Sequence, residues 1–166
     1  MDSDLVFDAG PQVRKVWFLI VLSLACAIGS TVWAYDLSRT WGLATADGGA
    51  LKPLWARLLF GGSLAAAGLA FGLGMIGYGL RYVTTLRRTG TDAFDLRTLL
   101  GGRRTVARAD LGLGPFHQGR ARTIGWIGFF PITAIRVVAP WRSVYVRGAT
   151  GPFILDLQGA VSEDFA

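Results

Sequence analysis

Two stretches without a single charged side chain, residues 16–35 and 58–80, constrain this chain more than any other feature of it. As helices rising ~1.5 Å per residue, each reaches across the ~30 Å hydrocarbon core of a bilayer. A chain of 166 residues has too little remaining sequence to wrap two such helices on every side in water. Their ends fit lipid as well. Trp17, Trp33 and Tyr35 fall where an interfacial aromatic belt lies, and Arg57 and Arg81 bracket the second stretch. Both are therefore read as transmembrane helices. The composition agrees, with 52% hydrophobic and only 17% charged residues and a mean hydropathy of +0.43.

The arginine and lysine distribution orients them. Arg14 and Lys15 precede the first helix; Arg81, Arg87, Arg88, Arg97, Arg103, Arg104 and Arg108 follow the second; the connector holds only Arg39, Lys52 and Arg57. The expected order is a cytoplasmic N-terminal segment (1–15), transmembrane helix 1 (16–35), an external connector (36–57), transmembrane helix 2 (58–82) and a cytoplasmic β-rich domain (83–166). Gly48-Gly49 marks a turn in the connector, and Pro53 suits the first turn of the second helix. A cleaved signal is the alternative for the first stretch, and Leu22-Ser23-Leu24-Ala25-Cys26 has some likeness to a lipoprotein processing site. Against this, Asp2, Asp4 and Asp8 stand before Arg14 and Lys15, and the apolar run continues past Cys26.

The second helix is crowded with small residues. Gly62, Ala66, Ala70 and Gly74 recur every fourth position, as do Gly68 and Gly72. Ala25 with Gly29, and Ser23 with Ala27 and Thr31, form shorter rows on the first helix. Small residues at this spacing let a neighbouring backbone approach closely. The two helices should pack as a hairpin, with surplus small-residue surface for helices of another protein. The Gly72-Leu73-Gly74-Met75-Ile76-Gly77 match to a dinucleotide-binding loop is rejected, because that motif must follow a strand and open a helix.

Helix is expected past Tyr82 to about Arg88, where Thr89-Gly90-Thr91 stops it. Period-two alternation then takes over. Phe94, Leu96 and Thr98 share one strand face; Gly101-Gly102 turns; Thr105, Ala107 and Ala109 continue. Residues 124–138 are apolar enough for two strands interrupted near Phe130-Pro131, and Pro140 ends a strand. Residues 142–147 alternate, residues 148–151 turn, and Phe153, Leu155 and Leu157 return along one face. About six or seven short strands result, with no amphipathic helix. The expected fold class is membrane α + β: a two-helix transmembrane hairpin followed by a small antiparallel, PH-like β domain.

This architecture, two membrane helices followed at once by a basic meandering β domain, resembles the bacterial membrane-anchored PH-like proteins, which include the YcxB-like family. The resemblance covers most of the chain and implies a binding or scaffolding role at the bacterial cytoplasmic (inner) membrane. PH-like domains close their sheet with a C-terminal helix, whereas only a short tail containing Gly159 follows Leu157, so an open or partner-covered sheet is the alternative.

Two parts of the domain are candidates for contact with a partner or lipid. One is the arginine set, chiefly Arg87, Arg88, Arg103 and Arg104, which suits anionic headgroups or acidic loops. The other is Trp126, Phe129 and Phe130 in an apolar run beside Pro131, which fits sheet core, a lipid wedge or a protein anchor. No catalytic constellation is legible. The carboxylates Asp92, Asp95, Asp110, Asp156, Glu163 and Asp164 are scattered, and His117 has no serine or cysteine beside it. One cysteine, Cys26, and one histidine leave no disulfide framework and no metal or cofactor pattern. Uncharged spans mark no ion path, and arginines spread along strands argue against nucleic acid. The expectation is a non-enzymatic accessory subunit or assembly factor of a larger integral membrane complex. A self-associating module with a lipid- or peptide-binding domain is the alternative.

Overall fold

A computed structural model describes residues 5–118, 125–127, 130–132, 140–158 and 160–161. It divides into two compact units: residues 15–78, and residues 1–14 together with 79–166.

The first unit is a helical hairpin. Helix α1 spans Gln12–Thr40 and α2 spans Leu54–Arg81, so both outrun the uncharged stretches that signalled them. Each is long and apolar enough to cross a membrane, with only 22% and 11% of the most apolar window buried. A core helix of a soluble protein is mostly buried; these present Phe18, Ile28, Val32, Leu59, Leu69 and Leu73 outward instead.

The buried positions of α1 are Val16, Ile20, Ser23, Ala27 and Ala34. They recur at intervals of four, three, four and seven residues, so all five lie along one face of the helix. The facing seam of α2 is glycine. A Cβ added at Gly61 would lie 3.1 Å from the Ala34 carbonyl oxygen, and one at Gly72 would lie 3.1 Å from the Ala27 methyl. One at Gly68 would overlap Ser30 Oγ and stand 2.8 Å from Ser30 Cβ. The seam hydroxyls bring no unpaired polar group with them. Ser23 donates to Ile20 O at 2.8 Å, and Ser30 and Thr31 donate to Ala27 O at 3.0 and 2.8 Å. The hydroxyls are thus satisfied within their own helix.

The connector is held rather than slack. Pro53 precedes α2, and its carbonyl accepts from Ala56 and Arg57 in the first turn. Lys52 N–H donates to Trp41 O at 3.0 Å, and the Trp41 and Phe60 rings stand 5.4 Å apart. Arg57 donates through Nε to Lys52 O at 2.9 Å and through Nη1 to Ser38 O, a carbonyl of the last turn of α1. A cation there offsets both the orphan carbonyls and the negative helix end. Arg57→Ala is expected to cost the hairpin about 1–2 kcal/mol, read as a lowered thermal midpoint in detergent, with Arg57→Lys intermediate.

The second unit is built from strands. The five-stranded antiparallel sheet runs in the order β10 (Ala160–Val161), β1 (Leu5–Asp8), β2 (Val83–Arg88), β3 (Ala93–Thr98) and β4 (Gly102–Ala107). A three-stranded sheet orders β5 (Leu111–Gln118), β8 (Pro140–Val146) and β9 (Phe153–Asp156), and β6 (Gly125–Ile127) pairs with β7 (Phe130–Ile132). The two larger sheets meet at a bridge between Tyr82 and Ile154. Their shared core includes Phe7, Tyr82, Leu86, Leu96, Val144 and Leu155, all essentially inaccessible.

Several particulars differ from the expectations. Helix does not reach Arg88: α2 stops at Arg81 and residues 83–88 are strand. The β-branched run Val83-Thr84-Thr85 favours that change. The following turn secures it, with Leu100 N–H donating to Gly79 O and Leu99 N–H to Tyr82 O, taking up carbonyls at the helix end. Pro140 opens β8 rather than ending a strand, whereas β6 and β7 are the two strands expected in residues 124–138, with Phe130-Pro131 opening the second. On β4 the buried side chain is Val106, on the face opposite Thr105 and Ala107.

The largest difference is β1. It precedes α1 yet forms an interior strand of the sheet, with Phe7 opposite both Val161 and Leu86. The chain thus leaves this sheet through one helix of the hairpin and returns to it through the other. Removal of residues up to Cys26, as lipoprotein processing would require, would strip the sheet of that strand.

Candidate functional site

The sheet alternation sorts the arginines that sequence could only group. Across β2, β3 and β4, Arg87 lies opposite Asp95, Thr85 opposite Arg97, Arg97 opposite Arg103, and Asp95 opposite Thr105. Cross-strand partners share a face. Arg87, Arg97 and Arg103 therefore stand together around Asp95, while Phe94, Leu96 and Thr98 of the same β3 point to the other side, into the core. Arg104 pairs opposite Leu96 and so belongs to that second side. Arg103 and Arg104, adjacent in sequence, are separated by the sheet itself. Arg88 pairs opposite Phe94 at the last position of β2. From there it donates to Thr91 O at 3.4 Å in the β2–β3 turn and reaches the rim of the arginine group.

The group frames a cleft of about 500 Å³ lined by Thr85, Arg87, Arg88, Asp95, Arg97 and Arg103, among others. Asp95 is 92% buried, being only 8% exposed. Its Oδ2 accepts from Arg103 Nε at 2.7 Å. Its Oδ1 is buried without a hydrogen-bond partner among the described residues. Arg103 is itself 72% exposed, so solvent screens the pair and its main effect is to fix the guanidinium in place. Among the described residues, Arg87 and Arg97 form no ion pair. This face can donate many hydrogen bonds to an anion and accept few.

The six small residues singled out on α2 separate in the same manner. Gly68 and Gly72 lie in the hairpin seam against Ser30 and Ala27. Gly62, Ala66, Ala70 and Gly74 are exposed, and a Cβ at Gly62 or Gly74 would meet nothing within 4 Å. Of the aromatic candidates, Trp126 is on β6 opposite Pro131 and Phe130 is on β7 opposite Ile127. Phe129 lies outside the described residues. His117 is on β5 opposite Trp141, and Cys26 is exposed on α1.

Sequence reasoning passed over Asp95 as one scattered carboxylate. The signal was present in Asp95-Leu96-Arg97, where alternation puts both charged residues on one face beside a core leucine. Arg81, legible in sequence as a bracket of the second apolar stretch and part of the basic flank, donates through Nη2 to Thr150 O at 2.9 Å and ties the end of α2 to the β8–β9 turn. No protein family matches this chain, and neither does any curated protein or solved structure.

Proposed function

We propose that this protein is a non-catalytic accessory subunit or assembly factor of a larger integral membrane complex. It would sit in the bacterial cytoplasmic membrane with both termini and a PH-like β domain on the cytoplasmic side. The observation that carries this reading is the division of small residues on α2. One row, Gly68 and Gly72, is used within the hairpin, and a second row, Gly62, Ala66, Ala70 and Gly74, is left smooth and open. Glycine weakens a helix by about 1 kcal/mol relative to alanine, and membrane helices use small residues where another helix approaches. The seam accounts for the first row; a partner helix accounts for the second. The exposed arginine face of the β domain would then hold cytoplasmic loops or headgroups beside the complex.

Affinity purification in mild detergent tests this. The wild-type chain should bring down a defined membrane complex, and Gly74→Leu or Ala70→Leu should release it while leaving the thermal midpoint of the isolated chain unchanged. Purification of the chain with only copies of itself would favour the second reading, a self-associating module with a lipid- or peptide-binding domain. The sidedness is tested separately. Reporters at the two termini should report the cytoplasm, and one inserted at Gly48-Gly49 should report the opposite side.

A further inference from the structure

We infer that the cleft between β2, β3 and β4 is a binding site for a phosphate ester, held by the guanidinium groups of Arg87, Arg97 and Arg103. The inference rests on reading the β domain as a binding module, and it does not require the open face of α2.

Three observations carry it. First, the register sets Arg97 directly opposite Arg103. Like charges directly opposite on adjacent strands are unfavourable, and a sheet that keeps such a pair leaves a need for an anion between them. Second, the compensation inside the face is incomplete. Among the described residues one carboxylate, Asp95, shares this face with the three arginines, and its ion pair is with Arg103 at 2.7 Å. Its burial, with 8% exposure, makes it a fixed strut rather than a mobile counter-ion. Among the described residues, Arg87 and Arg97 form no ion pair, and both line the cleft. Third, there is room for a small ligand: the half-open cleft of about 500 Å³, lined by Thr85 and Arg88 beside the three arginines, falls in the size range of small-molecule sites.

Planar guanidinium forks match the tetrahedral oxygens of phosphate, and several of them on a rigid strand framework can share one group. The pinning of Arg103 by Asp95 presets one fork before the ligand arrives. A phosphate ester is available either as the headgroup of an anionic lipid or as a soluble phosphate compound, and the chemistry that recognises it is common to both.

The test uses the purified full-length chain in an uncharged detergent, titrated calorimetrically with two probes, glycerol 3-phosphate and short-chain phosphatidic acid, and with a glutamate-rich peptide as the control. Saturable binding of either supports the site, and the probe preferred assigns the source. Arg97→Gln and Arg87→Gln should each weaken binding about tenfold or more, the scale of a lost charge-assisted hydrogen bond. Arg104→Gln removes the same charge from the opposite face and should change it less than about twofold. Matched melting curves for the three variants establish that each is folded. Equal weakening by Arg97→Gln and Arg104→Gln would reduce the effect to net charge and overturn the site. Binding of neither probe, with a glutamate-rich peptide bound instead, would also overturn it and assign the face to acidic protein segments. Loss of phosphate binding with co-purification of the membrane complex intact would sink this inference alone. The reverse result would sink only the docking role of α2.

Discussion

A chain lacking residues 1–9 is expected to lose the cooperative melting of its β domain, although those residues precede both long helices. The reason is the position of β1 between β10 and β2, with Ala9 N–H extending the ladder to Thr84 O at 2.9 Å. Phe7 is 0% exposed and lies opposite Leu86 and Val161. Truncating a buried phenylalanine to alanine costs about 3–5 kcal/mol, against a total stability of about 5–15 kcal/mol for a domain. Phe7→Ala alone should therefore remove a large share of the domain's stability, and Phe7→Leu much less. Full truncation adds the loss of an interior strand, which exposes ladder groups on both neighbours. Limited proteolysis in detergent reads the outcome: cleavage should appear throughout residues 83–161 while α1 and α2 stay protected. A truncated chain that melts like the intact one would show that β1 is dispensable. The same reasoning predicts that the protein purified from its native source retains its N-terminal segment, which intact mass measurement checks.

The second large effect is expected in the hairpin seam. Gly68→Ala should destabilise the hairpin by about 1–3 kcal/mol, the range for overpacking a filled contact. The added methyl meets Ser30 Oγ and, at 2.8 Å, Ser30 Cβ, which no rotation of the serine side chain can move away. Behind them the next atom is Ala27 Cα at 3.4 Å, an ordinary contact. Removing the serine side chain should therefore relieve the clash. Ser30→Gly combined with Gly68→Ala should recover most of the loss, giving a strongly non-additive double-mutant cycle. Thermal unfolding followed by far-ultraviolet circular dichroism in detergent measures both effects. Simple additivity of the two substitutions would mean that Gly68 does not touch Ser30. Gly74→Leu serves as the contrast. It should leave the melt unchanged, because its surroundings are open, and so it isolates the outer face from the fold.

Much of this architecture was legible before any coordinates. The uncharged runs gave both long helices, and alternation gave β3, β8 and β9 close to their observed limits. The misses share a cause. Residues 83–88 follow an apolar helix with no glycine or proline to end it, and the β-branched Val83-Thr84-Thr85 leans toward strand without fixing where the helix stops. The ending depends on Leu99 and Leu100, whose amide groups return to Tyr82 O and Gly79 O. Strand β1 is only four residues long, too short for a period to declare itself, and its partners lie far along the chain.

The candidate site divides along the same line. The arginines were visible as a group, and the small residues of α2 as rows. Only pairing revealed that Arg87, Arg97 and Arg103 enclose Asp95 while Arg104 turns away, and that Gly68 and Gly72 are consumed by the hairpin while Gly62 and Gly74 are not.

By itself, the sequence determined where long apolar helices must form and where strands alternate, because these depend on neighbours a few residues apart. The tertiary structure decided which strand completes the sheet, which arginines converge and which glycine face meets α1. Those choices are set by register between segments distant in sequence, where shape and charge across the contact select one pairing from many that the local pattern allows.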